Sequence, residues 1–196
     1  MTSRVVLATR NAGKVREMQS LLAPLGWTVL NQADLDIPSA PEDGLTFLEN
    51  ALAKARHACL LSGLPAIADD SGLVVDALGG APGIQSARFA GENADDDANN
   101  RHLLQALGSG LSRRAHFYCV LVYLEHARHP APTVAVGRWS GHLRTTPAGS
   151  GGFGYDPLFQ PDGLTCTSAE LTATEKNTLS HRGQACRMLL DMLEKR

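Results

Sequence analysis

The sequence predicts an α/β fold built on a mixed sheet. Helical and β-type patterns mix along the whole chain without a strict βαβ repeat. The run "AHFYCVLVYLEH" at residues 115–126 is apolar on both faces, which is typical of a central, buried strand. A second β-type run at residues 133–145 follows after a turn, and together the two runs predict a long antiparallel hairpin. The 196 residues contain no repeat, low-complexity tract or linker, so we expect residues 1–196 to form a single domain.

The first half of the chain alternates strands with helices. Its predicted elements, in order, are a strand at Arg4–Ala8, a helix that ends near Pro24–Gly26, a strand at Trp27–Asn31, a helix that ends at Gly63 and a short apolar strand that ends in two acids. Thr46 and Glu49 form a capping box at the start of the second helix, because each side chain can bond to the other's backbone.

The second half of the chain continues the same mixture. Its predicted elements, in order, are a helix at residues 95–107, the hairpin, a glycine-rich loop that runs into a short strand at residues 148–159, and a last helical region. Thr172 and Glu175 form a second capping box before that region. Its apolar face carries Cys186 and Leu189 at helical spacing.

Composition and charge exclude several classes of partner. Lys and Arg total 18 and Asp and Glu total 20, whereas a surface that binds nucleic acid is strongly basic. No run approaches the ~20 apolar residues that span a bilayer, and the N-terminus lacks the apolar core of a signal peptide. The four cysteines are scattered without a C-x-x-C pair, so neither a disulfide framework nor a zinc cluster is predicted. We therefore expect a cytoplasmic protein with no nucleic-acid or membrane partner.

The turn between the first strand and the first helix carries a hydroxyl, an amide, a glycine and an ammonium, in Thr9, Asn11, Gly13 and Lys14. Backbone N–H groups at a helix start favour an anion, Gly13 lets a ligand approach the backbone, and Lys14 adds a point charge. The turn therefore predicts a phosphate-binding site, although an Asn-capped helix with a solvated lysine gives the same pattern. It is not a Walker loop, because Lys14 follows a single glycine.

Two carboxylates at the end of an apolar strand predict a metal site. Asp69 and Asp70 are adjacent, so on an extended chain one side chain can face a ligand while the other braces the loop. Ligands bind at strand ends in α/β sheets, and Mg²⁺ prefers oxygen ligands from carboxylates and phosphates. Glu42, in the loop before the second helix, is a further acidic candidate. Ordinary Asp caps and an exposed loop acid remain the alternatives.

Two further segments carry side chains suited to a ligand. The loop "SGGFGYDP" places Phe153 and Tyr155 between glycines, and an aromatic ring can stack on a nucleobase. The segment "EKNTLSHRGQA" contains Lys176, a candidate for a phosphate, and His181 and Arg182, which are donors suited to a carbonyl oxygen. A glycine-rich hairpin connection and an exposed cationic helix start explain the same residues without a ligand.

Four of these segments, "ATRNAGK", "ADDSGL", "GGFGYDP" and "EK…SHR", occur in the order found in one family. With "GLTFLENA", "LGGAPGI" and "SAR" between them, the chain from Val5 to Arg187 closely resembles the inosine triphosphate pyrophosphatase family of non-canonical purine nucleoside triphosphate pyrophosphatases. The resemblance implies hydrolysis of ITP, dITP and XTP to the monophosphate and pyrophosphate, a Mg²⁺ cofactor and a homodimer. It also implies an elongated fold with helices on both sides of the sheet and an active-site cleft between two lobes.

The same resemblance implies roles for individual residues. Asp70 is the implied catalytic acid, and Asp70 and Glu42 are the implied metal-associated residues. The implied substrate contacts are Thr9, Arg10, Asn11, Ala12, Gly13, Lys14, Ser71, Phe153, Gly154, Tyr155, Asp156, Lys176, His181 and Arg182. Arg10 departs from the family pattern, since many relatives have glycine there, and an inward-pointing side chain would add a cation near the phosphates.

The resulting hypothesis is that Mg²⁺ on Asp70 and Glu42 bridges triphosphate oxygens while a water activated by Asp70 attacks the α-phosphorus. Donors from His181, Arg182 or backbone N–H groups would pair with purine O6 and oppose the N6 amino group of adenine. A pyrophosphatase for pyrimidine or modified triphosphates and a non-catalytic nucleotide sensor are the rival hypotheses. An aspartyl-phosphate phosphatase is disfavoured, because "DDS" lacks the D-x-D spacing that points two aspartates the same way.

Overall fold

The computed structural model describes residues 4–195 and contains a six-stranded sheet flanked in sequence by α-helices. The strands are β1 (Arg4–Leu7), β2 (Thr28–Asn31), β3 (Ala66–Val75), β4 (Arg114–Leu124), β5 (Thr133–Leu143) and β6 (Phe159–Pro161). The helices are α1 (Ala12–Leu22), α2 (Phe47–Ser62), α3 (Asp96–Leu107), α4 (Ala173–Leu179) and α5 (His181–Glu194). The predicted α/β class is confirmed.

The sheet is mixed, with the strand order β2-β1-β3-β4-β5-β6. β1 pairs in parallel with β2, from Arg4↔Thr28 to Leu7↔Asn31, and in parallel with β3. β5 and β6 pair in antiparallel fashion. β4 lies between β3 and β5 and is almost fully buried along its second half, as its apolar sequence predicts. The adjacency of β4 and β5 is compatible with the predicted hairpin.

β3 is longer than the sequence predicted, and this changes the setting of the two acids. We expected the strand to end at Asp69 and Asp70, but it continues to Val75 because apolar residues follow the acids. That prediction is therefore wrong. Pairing between β3 and β1 nevertheless ends at Leu7↔Ile67, so the acids lie just beyond the carboxyl end of the neighbouring parallel strand. This is the kind of position at which α/β sheets bind ligands.

The helix ends follow the local signals in the sequence. Both predicted capping boxes are present, Thr46 with Glu49 and Thr172 with Glu175, each with its reciprocal hydrogen bonds. The last helical region, however, consists of two helices. Ser180 leaves the helical conformation with φ -66° and ψ 160°, and α5 then begins at His181.

The chain divides into two compact units, each assembled from separate stretches of sequence. Unit 1 comprises the residues up to 70, residues 119–137 and the residues from 182 onward, and unit 2 comprises residues 71–118 and 138–181. The core of unit 1 is formed by apolar side chains of α1, α5, β1, β3, β4 and β5, and it includes Cys119 and Cys186 as small core residues. The core of unit 2 is more aromatic, with Phe117, Trp139 and Phe159 in contact. Within residues 4–195, each helix is too short or too polar to cross a bilayer.

Candidate active site

The turn after β1 is built by its own side chains. Asn11 caps α1, and its Oδ1 accepts from the N–H groups of Gly13 at 2.9 Å and Lys14 at 3.2 Å. Thr9 Oγ1 in turn accepts from the Asn11 N–H at 3.2 Å. The cap therefore engages two of the backbone donors that the sequence offered to a phosphate. The Lys14 side chain extends toward Asp69 on β3.

Asp69 is buried in unit 1 and binds two cations. Its Oδ1 lies 3.2 Å from Lys14 Nζ, and its Oδ2 accepts from Arg182 Nη2 at 3.1 Å and from Arg182 Nε at 3.3 Å. The Nη1 end of the guanidinium is ion-paired with Glu17, which lies one helical turn after Lys14 on α1. Arg182 is only 1% exposed, so its charge is neutralised inside the protein. Asp69 therefore links Lys14 to the start of α5.

Asp70 has a separate set of partners, which lie on α2. Its Oδ1 is 2.7 Å from Lys54 Nζ, and its Oδ2 accepts from Asn50 Nδ2 at 3.3 Å. The same Lys54 ammonium lies 3.0 Å from Glu42 Oε1. Asn50 and Lys54 are one turn apart on α2, so the helix presents both to the same carboxylate. The adjacent aspartates therefore contact different groups, as alternation along an extended chain predicts.

Gly44 lets the loop that carries Glu42 lie against α2. The Gly44 N–H donates to Asn50 Oδ1 at 2.9 Å. A Cβ at residue 44 would lie 2.7 Å from Asn50 Oδ1 and 2.7 Å from Glu49 Cβ, so a larger residue would push the loop away. Asn50 thus contacts the loop with its oxygen and Asp70 with its nitrogen. This arrangement holds the carboxylates of Glu42 and Asp70 close enough to share one ammonium.

The two adjacent aspartates differ in acidity. Burial by itself raises the pKa of Asp69, but Lys14, Arg182 and Lys54 together hold that pKa well below its usual range. Burial also raises the pKa of Asp70, and here the Lys54 ammonium offsets the effect only in part, so the pKa lies above its usual range. Burial lowers the pKa of Lys54, but the nearby carboxylates outweigh it and the pKa is raised. Asp69 is therefore a firmly ionised anchor, whereas the charge on Asp70 is less well stabilised.

Glu42 and Asp70 fit a magnesium ion that also binds phosphate. In the described part of the chain, no three His, Cys, Asp or Glu side chains are grouped so that they would hold a metal ion by themselves. The pair supplies two carboxylates, and the Lys54 ammonium between them shows that this position accommodates a cation. Mg²⁺ is commonly bound through one or two carboxylates, with phosphates and waters completing the octahedron. The donor set suits that mode.

In unit 2, Asp156 organises the glycine-rich loop. Its Oδ2 accepts from the Phe153 N–H at 2.8 Å and from Lys176 Nζ at 2.5 Å, and its Oδ1 accepts from Ser168 Oγ at 2.7 Å. Gly152 adopts φ +73°, and a Cβ there would lie 2.0 Å from Asp156 Oδ2, so this position requires glycine. The sequence offered Lys176 to a phosphate. In the structure its ammonium is buried against a carboxylate.

The two aromatic rings of this loop have different environments. Tyr155 is buried, and its hydroxyl donates to the carbonyl oxygen of Ser86 at 2.9 Å. Phe153 is half-buried, with Lys176 Nζ 4.7 Å from the ring centroid in a cation–π contact. Phe153 is therefore the ring of this loop that keeps exposed surface for a stacking partner, while Tyr155 fixes the loop to the core.

Helix α3 contacts the loop, and the start of α5 contacts β4. The Gly154 N–H donates to Asp96 Oδ2 at 2.6 Å, and the Gly154 carbonyl accepts from Asn100 Nδ2 at 2.9 Å, so α3 fixes the loop on both sides of this glycine. His181 is buried and stacks on Phe117 with ring centroids 4.8 Å apart and planes 11° apart. Lys176 and His181 thus belong to unit 2, whereas Arg182, the next residue, belongs to unit 1.

Three of the predicted contacts lie outside these clusters. Arg10 and Ala12 are exposed, on either side of the Asn11 cap. Ser71 is half-buried on β3, directly after Asp70.

The sequence predictions missed Lys54, Asn50 and Glu17. The first two had a readable signal, because they lie one helical turn apart beside Ala51 and Ala55 on a helix whose buried stripe is otherwise apolar. A polar pair on such a stripe indicates a buried partner. Glu17 had no local signal, since its partner lies far away in sequence on α5.

Comparisons with known proteins agree with one another. A model of the Ham1 family matches residues 5–192. A Shigella flexneri protein named dITP/XTP pyrophosphatase is 58% identical over 192 residues, which cover 97% of this chain and 98% of that protein. A Pectobacterium atrosepticum protein of the same name is 59% identical over equal shares. The solved structure of a HAM1 protein from Coxiella burnetii has a TM-score of 0.92 and 43% identity, with 100% of both chains covered.

Proposed function

The chain belongs to the Ham1 family and is a nucleoside triphosphate pyrophosphatase, and we propose that it acts on dITP, ITP and XTP and releases pyrophosphate in a Mg²⁺-dependent reaction. The observation that carries this proposal is the charged cluster of unit 1. There Lys14 and Lys54 supply positive charge for phosphates, and Glu42 and Asp70 supply oxygen ligands for a cation. Phosphoryl transfer depends mainly on positioning and charge neutralisation, which such a cluster provides.

In the proposed reaction, Asp70 accepts a proton from the water that attacks the α-phosphorus. The bond from that phosphorus to the bridging oxygen breaks, and pyrophosphate leaves with the electron pair. Lys14 and Lys54 neutralise phosphate oxygens, and Asp69 holds the Lys14 ammonium in place. When bound to Glu42 and Asp70, Mg²⁺ would supply further neutralisation of the triphosphate charge.

Recognition of the base is assigned to the glycine-rich loop and His181. Phe153 stacks on the purine with its exposed surface, while Lys176 and Asp156 hold the ring from the protein side. Purine O6 needs a donor, and adenine presents an amino donor at the same place, so a donor in the protein rejects adenine. We assign this donor to His181. Arg182 already donates to Asp69 and Glu17, and its proposed task is to hold Asp69.

The homodimer and the cytoplasmic location remain predictions from the sequence. The same holds for the cleft between two lobes and for the absence of nucleic-acid and membrane partners.

The proposed function is tested by measuring pyrophosphate release from ITP, dITP, XTP, GTP, ATP, dUTP and dTTP, each with and without Mg²⁺. We expect release from the first three nucleotides, little from ATP, dUTP and dTTP, and none without a divalent ion. Preference for dUTP or dTTP would support the rival pyrimidine pyrophosphatase. Tight ITP binding without pyrophosphate release would identify a nucleotide sensor and refute the proposal.

Replacing Phe153 with Ala is expected to weaken nucleotide binding with a smaller effect on kcat. Loss of one base–aromatic stacking contact removes about 1–3 kcal/mol, which corresponds to a KM increase of roughly 5–150-fold. Phe89→Ala is a matched control, because Phe89 is another half-buried ring of unit 2 and its ring centroid lies 4.8 Å from that of His102. The control should leave the KM for dITP unchanged. Equal KM values for Phe153→Ala and wild type would contradict the stacking role.

A further inference from the structure

The Lys54 ammonium lies between the two carboxylates that are proposed to bind the metal. It is 3.0 Å from Glu42 Oε1 and 2.7 Å from Asp70 Oδ1, and the Lys54 side chain is only 12% exposed. The single positive charge of Lys54 is therefore shared by two carboxylates, and the Lys54 side chain is mostly shielded from solvent. Lys54 therefore contacts both proposed metal ligands at once.

An ammonium in this position and a metal ion compete for the same oxygens. Mg²⁺ binds its ligands at about 2.0–2.1 Å, so an ion held by Glu42 Oε1 and Asp70 Oδ1 would lie against the ammonium that is now bonded to the same two oxygens. The two cations also repel each other strongly at such short separation. A metal ion therefore binds to the Glu42–Asp70 pair only after the ammonium has moved to another acceptor.

Lys54 is suited to that move. Its ammonium is a point charge on a flexible four-carbon stem, and lysine is a common phosphate ligand. The Glu42 and Asp70 carboxylates would stay in place after this move. Asn50 donates to Asp70 Oδ2 and accepts from the N–H of Gly44, in the loop that carries Glu42. The carboxylates thus keep their positions without the lysine.

We propose that Lys54 acts as an internal counter-cation that makes metal binding depend on the nucleotide. In the free protein it neutralises Glu42 and Asp70 and keeps their affinity for a divalent ion low. A triphosphate draws the ammonium onto a phosphate oxygen and so opens the pair to the metal that accompanies it. The proposal rests on the proposed function, because it takes Glu42 and Asp70 as the metal ligands. By linkage, metal and nucleotide raise each other's affinity by the same factor.

The test measures binding of Mn²⁺ alone to the full chain by electron paramagnetic resonance, and then binding of Mn²⁺ with α,β-methylene-ITP, which is not cleaved at the α-phosphate. Wild type should bind Mn²⁺ alone weakly and at least about tenfold more tightly with the nucleotide, a shift of ~1.4 kcal/mol. Lys54→Met should bind Mn²⁺ alone about tenfold more tightly than wild type, and the gain from the nucleotide should shrink. Lys54→Arg, which keeps the charge, should behave like wild type.

Arg56→Met is the matched control, because it removes a positive charge from an exposed position of the same helix. It should bind Mn²⁺ as wild type does, which separates a local exchange from a change in net charge. If Lys54→Met does not fold, Lys54→Gln replaces it, since an amide keeps a donor for the carboxylates without the charge. Wild-type or weaker Mn²⁺ binding in the neutral variant overturns the proposal.

A further variant separates this proposal from the proposed function. The tightening seen in Lys54→Met should disappear when Glu42→Gln is added, because one ligand is then lost. Tightening that persists in the double variant would place the metal elsewhere and refute both the counter-cation and the assigned ligands. Nucleotide-dependent pyrophosphate release with no effect of Lys54→Met on Mn²⁺ affinity would leave the function standing and refute the counter-cation alone.

Discussion

The Asp70→Asn variant is expected to lose about 10²–10⁴-fold in kcat, the contribution typical of a positioned general base, while remaining folded. The amide has the same shape as the carboxyl and can still accept from Asn50 Nδ2. Lys54 keeps Glu42 as a partner, so its ammonium is not left without an anion. Pyrophosphate release from dITP at saturating nucleotide and Mg²⁺ measures the effect. Turnover close to that of wild type would show that Asp70 is not the base.

The stability of this variant follows from the direction of the Asp70 pKa shift. Burial raises that pKa, so ionisation of Asp70 opposes folding, and the penalty is present above the folded pKa and absent below the unfolded value. A neutral Asn does not carry the penalty. We therefore expect the Tm of Asp70→Asn at pH 7 to equal or exceed that of wild type.

Asp69 provides the internal contrast for this prediction. Its pKa is lowered, so its ionised form stabilises the fold, and Asp69→Asn should lower the Tm at pH 7. Asp191→Asn, at an exposed position on α5, should change neither kcat nor Tm. Equal Tm losses for the variants at 69 and 70 would contradict the different roles assigned to the two aspartates.

Most of the elements were predictable because their signals are local. The capping boxes that begin at Thr46 and Thr172 are motifs of four residues, and each marks the start of a helix. Gly63 ends α2 in a left-handed conformation that glycine adopts without strain. The apolar run of β4 identifies a buried strand by composition alone. Such signals do not depend on the rest of the fold, so the sequence is sufficient to read them.

The errors occur where distant residues decide the structure. Two acids in sequence predict the end of a strand, but β3 continues through them because cations from α1, α2 and α5 neutralise them. In the same way, Lys176 looked like a free cation at a helix start, and it is buried because Asp156 pairs with it. No periodicity or local propensity encodes these pairings. Only the folded chain brings the partners together.

The same distinction between local signals and distant partners applies to the candidate site. Lys14, Asp70 and Phe153 could be proposed from the sequence because their motifs are short and contiguous. Arg182 was also proposed from its motif, but the residues that surround it could not be predicted. Its guanidinium is buried between Glu17 and Asp69, which are far from it in sequence. The motif alone therefore does not indicate that Arg182 holds these two carboxylates in position.

The Arg182→Met variant is expected to lower the free energy of unfolding by about 3–5 kcal/mol, because it leaves the buried Asp69 and the half-buried Glu17 without their shared cation. For a chain of this size, that loss corresponds to a decrease in Tm on the order of 10 °C. Chemical denaturation and thermal unfolding measure it. Arg101→Met, which removes an arginine from an exposed position on α3, is the control and should stay within about 0.5 kcal/mol of wild type.

The pH dependence of the loss identifies its cause. The depressed pKa of Asp69 means that its ionised form stabilises the fold at every pH above the unfolded value of ~3.9, and that this stabilisation is lost as the pH falls toward the folded pKa. Because Arg182 supplies part of that stabilisation, the difference between wild type and Arg182→Met should be constant from about pH 8 to about pH 5 and should shrink below about pH 4. A difference that does not change with pH would point to lost packing of the side chain instead.

A double variant, Asp69→Asn with Arg182→Met, separates the ion pair from the packing at neutral pH. The amide removes the charge that Arg182→Met leaves uncompensated, so the double variant should be less destabilised than the sum of the two single variants predicts. The expected coupling lies at about 0.5–3 kcal/mol, the range for residues that share a salt-bridge network. Additive losses would mean that Arg182 does not act through Asp69. Lys14 would then depend on Asp69 alone, and a kcat that follows the Asp69 substitution but not the Arg182 substitution would confirm that outcome.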